Sequence, residues 1–134
     1  MIALLLAAAL QTGGPVNLVA TPAVKAALRS TFLAAHTRYA PARVKGPLKG
    51  GTYYGSYGGF EYALAVFDLP RTGTTDMPEL FRRPAGGRWS DVGDTAGEVC
   101  PPRVPLPLIK VWHFVPSSWT TVKGKRYYCY GPGP

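Results

Sequence analysis

"TYYGSYGGFEYALAVFD", residues 52–68, predicts the central β-hairpin of this protein. The pair Gly58-Gly59 divides the stretch, because glycine readily adopts the positive φ angles that a two-residue hairpin turn requires. The flanking residues, 52–57 and 60–68, contain aromatic and β-branched side chains and are predicted to form the two strands.

A second hairpin extends this pair into an antiparallel meander of about four strands. "ELFRR" (79–83) and "RWSDVGD" (88–94) are predicted as strands, with "PAGG" (84–87) as the turn between them. Side chains alternate along a strand, so Tyr62 and Leu64 share a face, which we expect to be the core face.

Residues 22–37 are predicted to form a helix that packs on one face of this sheet. Thr21 offers a hydroxyl as the N-cap, and Pro22 stands at the first helical position, where its missing N–H has no consequence. The apolar side chains that follow helical spacing are Val24, Ala27, Leu28, Phe32 and Ala35.

For the C-terminal part, the sequence leaves two alternative structures open. "PLPLIKVWHF" (105–114) is either a short helix beginning at Pro105 or Pro107, or an edge strand, and "TTVKGKRYYCY" (120–130) is a candidate for a further strand. The predicted fold class is therefore α+β: a small antiparallel meander, an N-terminal helix on one face, and a short C-terminal helix or edge strand.

The first 20 residues are predicted to be a signal-like apolar leader and linker, and residues 21–134 a single domain. "MIALLLAAAL" is too short to span a bilayer, and it has the length and small residues of a secretory h-region, although no basic residue precedes it. A buried N-terminal strand or helix is the alternative interpretation.

The chain has two cysteines, Cys100 and Cys129. In an exported chain this even number predicts one disulfide, whereas two reduced thiols are the alternative. No C-x-x-C pair and no Cys/His ligand spacing is present, so the sequence predicts neither a metal site nor a cofactor.

The net charge of +8 is unevenly distributed, because no Asp or Glu occurs before Glu61 or after Glu98. Basic ends suit an anionic partner such as a cell-wall polymer or lipid head groups, although many charge runs are only solvated surface. The cations predicted to contact such a partner are Lys45, Lys49, Arg82, Arg83, Arg88 and Arg103.

Three tyrosines of the first strand are candidate ligand-binding residues. Alternation places Tyr54 on the face opposite Tyr53 and Tyr57, so at least one ring is expected to be partly exposed and able to stack on a ligand. Residues 59–63 echo an RNA-binding strand motif, but Glu61 there would repel phosphate, so nucleic acid is not favoured as a partner.

His36 and His113 are the two candidates for acid–base chemistry near neutral pH. No G-x-S-x-G or H-E-x-x-H motif is present, so a non-enzymatic protein is favoured. The carboxylates Asp91, Asp94 and Glu98 could surround Ca²⁺, but their spacing fits no EF-hand loop, and no metal is predicted.

Residues 52–112 resemble uncharacterised, exported proteins of high-GC Gram-positive bacteria. The resemblance lies in the order of motifs: a Tyr-rich strand, Y-A-x-A-x-F, F-R-R-P-x-G-G-x-W, an acidic Gly loop before Cys-Pro, and a Pro-initiated segment that ends in Trp. It implies export and a structural framework, but no established activity.

The sequence therefore favours an exported, non-enzymatic binding domain of the cell envelope or extracellular space, whose ligand is a protein or an anionic wall polymer. The alternatives are a small hydrolase or inhibitor-like protein that uses His36 or His113, and an RNA-binding domain. An imidazole within hydrogen-bond reach of a carboxylate in an open cleft would favour the hydrolase.

Overall fold

The computed structural model describes residues 13–70, 73–74 and 78–133. Its strands are β1 (Val16–Leu18), β2 (Tyr53–Tyr57), β3 (Phe60–Ala65), β4 (Asp68–Leu69), β5 (Gly73–Thr74), β6 (Glu79–Pro84), β7 (Ser90–Asp94), β8 (Phe114–Val122) and β9 (Lys125–Pro132). Its helices are α1 (Pro22–Ala35), α2 (Leu106–Val111) and a 3₁₀ turn at Pro41–Arg43.

The fold is α+β, as predicted, and both predicted hairpins are confirmed. An antiparallel sheet of five strands has the order β1-β2-β3-β6-β7. Gly58 and Gly59 form the first turn at φ angles of 62° and 83°. β4 and β5 form a separate two-stranded ladder.

The fifth strand, β1, lies inside the segment that was predicted to be leader and linker. Val16 pairs with Ser56 and Leu18 with Tyr54, so β1 adds an edge to the meander. Within the described residues the folded domain therefore begins before Thr21. The apolar run at residues 1–10 lies outside them.

Helix α1 is confirmed, and it ends two residues earlier than predicted. The Thr21 hydroxyl accepts a hydrogen bond from the Val24 N–H at 3.2 Å. His36 is the C-cap, and its backbone N–H donates to the Phe32 carbonyl. The Arg29 guanidinium donates to the carbonyls of Val44, Gly46 and Pro41, which fixes the connector after the helix.

Both faces of the sheet are buried, whereas the sequence pointed to the face of Tyr62 and Leu64 as the better core. A helix covers each face, so β3 is packed on both sides. Phe60, at the start of β3, is 38% exposed. The α1 face contains Leu28, Phe32, Val44, Tyr54, Ala63, Ala65, Phe67 and Phe81. The opposite face contains Tyr62, Leu64, Leu80, Val99, Val104, Leu108, Ile109, Trp112 and Phe114.

The Pro-initiated segment is helix α2 and not an edge strand. Its buried residues, Leu108 and Ile109, and the C-cap Trp112 pack against the sheet. The Trp112 indole N–H donates to the Tyr54 carbonyl at 3.2 Å. Neither described helix is long and apolar enough to cross a lipid bilayer.

The last two strands form a hairpin of their own, whereas the sequence predicted a single strand over 120–130; the turn at residues 123–124 divides that segment between β8 and β9. β8 and β9 pair with each other and not with the main sheet. The predicted disulfide is present: Cys100 is bonded to Cys129 in β9. Together with the backbone pairing of Val99 and Tyr130, it fastens the base of the hairpin to the domain.

Candidate functional site

A cleft of about 410 Å³ opens on the α1 face of the sheet. Its apolar wall includes Phe32, Phe67 and Leu69, and its polar wall includes carboxylates from β6 and β7. His36, the residue that ends α1, lies between the two walls with its ring stacked on Phe32 at a centroid distance of 4.2 Å.

The imidazole of His36 meets two carboxylates across the fold. Nε2 lies 2.7 Å from Glu79 Oε2, which is a hydrogen bond, and 3.3 Å from Asp91 Oδ2. The histidine side chain is 27% exposed, but those of Glu79 and Asp91 are only 8% and 7% exposed. The contact to Asp91 is electrostatic, because within the described chain Oδ2 has no hydrogen-bond partner.

A β-bulge in the pairing of β6 with β7 brings the two acids to the same face. Leu80 pairs with Gly93, but Phe81 pairs with Asp91, so Val92 is the extra residue. Without that insertion, Asp91 would project from the opposite face, away from Glu79 and Phe81. The φ of Gly93 is +118°, a conformation that suits glycine.

Both acids are held in an environment that disfavours their charged forms. Burial raises the pKa of Glu79, the charge of Asp91 raises it further, and His36 partly opposes these effects. Burial likewise raises the pKa of Asp91 and outweighs the lowering by His36 and by the Gly93 backbone. The cluster is therefore a pair of buried carboxyl groups with raised pKa values, both of which contact one imidazole.

This arrangement meets the condition stated above for the hydrolase alternative. An imidazole hydrogen-bonded to a carboxylate at the edge of a cleft can transfer protons during hydrolysis. The described residues that line the cleft include no Ser, Thr or Cys, so water is the nucleophile this wall could serve. His113, the other candidate, is exposed at the start of the C-terminal hairpin with φ +61°.

The three candidate tyrosines are divided between the two faces, as predicted. Tyr53 is half-buried against Trp112 and Phe114, with its ring edge-on to Phe114 at 4.7 Å. Tyr57 is half-buried beside the same cluster. Tyr54 is buried on the α1 face, where burial and Glu61 raise its pKa. Their rings contribute mainly to packing.

Arg83, one of the predicted contact cations, already has a partner within the protein. Its Nε donates to Glu61 Oε2 at 2.6 Å, and the Tyr54 hydroxyl donates to Glu61 Oε1. The guanidinium also lies over the Trp89 ring at 4.5 Å. This cluster neutralises a carboxylate that would otherwise be buried without a counter-ion.

The other predicted cations are distributed over several segments. Lys45 and Lys49 are exposed on the connector before β2, and Arg88 is exposed between β6 and β7. Arg82 is exposed and lies over the Phe60 ring at 5.3 Å. The Arg103 guanidinium donates to the carbonyls of Asp94 and Val92, which ties it to the end of β7.

Both faces of the β8–β9 hairpin carry exposed basic and aromatic side chains, which the sequence analysis did not identify. Trp119 is 56% exposed, Tyr127 46% and Tyr128 39%. The Arg126 guanidinium lies 4.1 Å from the centroid of Trp119, and the Lys125 ammonium lies 5.5 Å from that of Tyr127. No Asp or Glu follows Glu98 in the chain, so the hairpin has no acid of its own.

Of the acidic group that had been weighed for Ca²⁺, Asp91 and Asp94 line the cleft, whereas Glu98 lies elsewhere. Asp91 joins His36 and Glu79, while Asp94 Oδ1 accepts the Ala96 N–H at 2.6 Å. Glu98 accepts the hydroxyls of Ser117 and Ser118 at 2.8 Å each, which holds the hairpin base.

One signal in the sequence could have indicated the cleft. In the predicted strand 79–83, Glu79 shares a face with Phe81, a residue expected in the core, and a carboxylate on a core face needs a partner. The identity of that partner was not readable, because His36 and Asp91 come from other elements of the chain. Comparisons with family models, curated proteins and solved structures found no significant match.

Proposed function

We propose that this protein is an exported binding domain whose β8–β9 hairpin attaches it to an anionic wall polymer. The observation that carries the proposal is that each face of the exposed hairpin combines aromatic rings with a cation. The register places Trp119, Tyr128 and Arg126 on one face and Tyr127 and Lys125 on the other, with Lys123 at the turn. Export is part of the proposal, and the apolar N-terminal run, the Cys100–Cys129 disulfide and the resemblance stated above support it.

The chemistry of this surface suits a polymer that has both sugar rings and anionic groups. Aromatic side chains offer flat apolar faces on which sugar rings can stack, and neighbouring cations can contact phosphate or carboxylate groups. The cations already lie beside the rings, so little side-chain ordering is required when a ligand binds. The disulfide at the base restricts how far the two strands can move.

The test is to measure how much of the protein is retained on purified Gram-positive cell wall. The control material is the same wall after its anionic polymers have been removed. We expect binding at low salt, about tenfold weaker binding of Trp119→Ala, and loss of binding in a Lys123→Glu, Lys125→Glu, Arg126→Glu variant. Equal retention on stripped wall would overturn the proposal, and so would binding to anionic lipid vesicles without binding to wall.

A variant with the same change in net charge serves as the control. Lys49→Glu, Arg82→Glu, Arg88→Glu reverses three exposed cations outside the hairpin. This variant should keep most of its retention if the hairpin is the site. If both triple variants lose retention equally, the attraction is to the net charge of the molecule and the hairpin is not specific.

We propose hydrolysis in the His36 cleft as a second function, because the Nε2–Glu79 Oε2 distance of 2.7 Å places a proton-transfer pair at an open cavity. A panel of activated esters and amides would test it. Turnover that is lost in His36→Ala and retained in His113→Ala supports this function. Absence of turnover in the wild type, or equal turnover in the two variants, contradicts it.

A further inference from the structure

We propose that His36, Glu79 and Asp91 form a binding site for one divalent transition-metal ion, with Zn²⁺ as the expected occupant. The potential ligand atoms of these three residues all lie within 4.8 Å of one another. The proposal deepens the second function, but it does not depend on turnover, because metal occupancy can be measured directly.

Charge balance is the first argument for a cation. Two carboxylates, each less than one-tenth exposed, face a single imidazole, so with both acids ionised the cluster is negative even if the imidazole is protonated. Asp94 and Arg38 also line the cleft, so three acids face one guanidinium and one imidazole, and the acids remain in excess. A dication would neutralise charges that burial otherwise penalises.

The buried oxygen of Asp91, which lacks a well-formed hydrogen bond, is the second argument. Oδ2 is buried and accepts no hydrogen bond from any described residue, although it faces His36 at 3.3 Å. Buried carboxylate oxygens are normally satisfied by donors or by a metal ion. The 3.3 Å ion-pair contact with His36 leaves lone pairs of Oδ2 that can coordinate a metal.

The ligand atoms must shift before they can surround one ion, because their separations reach up to 4.8 Å at present. Ligand atoms on a tetrahedral Zn²⁺ lie about 2.0–2.2 Å from the metal, and hence about 3.3–3.6 Å from each other. Nε2 and Glu79 Oε2 must separate from 2.7 Å by somewhat less than an ångström. His36 is the helix cap rather than an interior helical residue, and its side chain is partly exposed, so it can move by this amount.

The donor set indicates the class of metal. One imidazole nitrogen with two carboxylate oxygens suits zinc and its neighbours in the first transition row, whereas Ca²⁺ and Mg²⁺ prefer oxygen ligands alone. Three protein ligands leave a fourth position that faces the cleft. That open position is typical of catalytic zinc sites, and closed four-ligand sets are typical of structural ones.

The test is Zn²⁺ binding by the full, untagged protein after treatment with a chelator, without a thiol reductant, because thiols bind zinc and would open the disulfide. Calorimetry should give one Zn²⁺ per chain and a higher thermal midpoint. Asp91→Asn and Glu79→Gln preserve side-chain shape and should each weaken binding at least about tenfold, and His36→Ala should do the same.

His113→Ala and Glu98→Gln are the matched controls, because they remove the same chemical groups elsewhere. Both should bind Zn²⁺ as the wild type does. No binding by the wild type, or binding of equal strength in Asp91→Asn and wild type, would overturn the metal site. A metal site without turnover would overturn only the hydrolytic function, so the two failures are distinguishable.

Discussion

At the scale of single residues, Asp91 carries a charge that the folded protein disfavours. Its pKa is raised mainly by burial, and that of Glu79 by burial and by Asp91. The folded chain then retains protons that the unfolded chain has already released. The stabilising contribution of these protons is present below the ordinary carboxyl pKa and is lost as the pH rises through the raised value.

Asp91→Asn should therefore stabilise the metal-free protein, and more so near neutral pH than in mild acid. We expect the thermal midpoint of the variant to exceed that of the wild type by a few degrees at about pH 7, and by less at about pH 4.5. Thermal melts of both proteins in chelator at the two pH values check this. A difference that is equal at both values, or of opposite sign, would contradict the assignment.

Arg83 and Arg82 are adjacent on β6, but they should differ in their effect on stability. Arg83→Ala leaves the Glu61 carboxylate buried without its counter-ion and should lower the free energy of unfolding by about 2 kcal/mol. Arg82→Ala removes only an exposed cation over Phe60 and should cost less than about 1 kcal/mol. Urea unfolding of both variants measures the two free energies of unfolding. Equal decreases would show that the ion pair has no structural role.

At the scale of elements, the packing of α2 on the sheet depends on the absence of a side chain at Gly55 in β2. A Cβ there would lie 2.6 Å from Leu108 Cδ1 and 2.6 Å from the Val16 carbonyl oxygen. Gly55→Ala should destabilise the protein by about 2 kcal/mol, because α2 and β1 must both shift. Chemical denaturation measures the change, and Gly14→Ala is the control. A Cβ at Gly14 meets nothing within 4 Å, so this variant should have nearly the same free energy of unfolding as the wild type.

The disulfide should matter for the attachment of the hairpin as well as for stability. Cys100 and Cys129 are separated by 29 residues, and closing such a loop stabilises by about 3 to 4 kcal/mol in the chain-entropy model. The double variant Cys100→Ser, Cys129→Ser should lose about this amount. Amide hydrogen exchange should then increase in β8 and β9 before it increases in β2 and β3. Unchanged exchange in the hairpin would mean that the Val99–Tyr130 pairing suffices.

At the scale of the whole molecule, the two candidate sites have opposite charge and lie in different parts of the fold. The cleft is acidic and lies between α1 and the sheet, whereas the basic hairpin packs its base at the α2 face.

We expect the sites to act independently. The triple charge reversal at Lys123, Lys125 and Arg126 should leave Zn²⁺ affinity unchanged, and His36→Ala should leave wall retention unchanged, as measured by calorimetry and wall binding. Coupling in either direction would contradict two separate sites.

The sequence by itself determined those parts of the protein that depend on local patterns. Gly58-Gly59 specified the first turn, Thr21-Pro22 the start of α1, and alternation the division of Tyr54 from Tyr53. These features follow from backbone sterics, capping and side-chain period, which act over a few residues. The same local reasoning left 105–114 open between a short helix and an edge strand, and the even cysteine count predicted the disulfide.

Only the tertiary structure decided what lies on each face and which side chains meet. β1 joins the sheet by pairing with β2. A segment of three residues is too short for its sequence pattern to predict this pairing. The one-residue bulge at Val92 turned Asp91 toward Glu79, and the end of α1 brought His36 to both. His36 is 43 positions from Glu79 and 55 from Asp91 along the chain, and these contacts depend on packing and register over the whole sheet. No local pattern encodes such a distance, and for this reason the cleft was absent from the predicted binding residues.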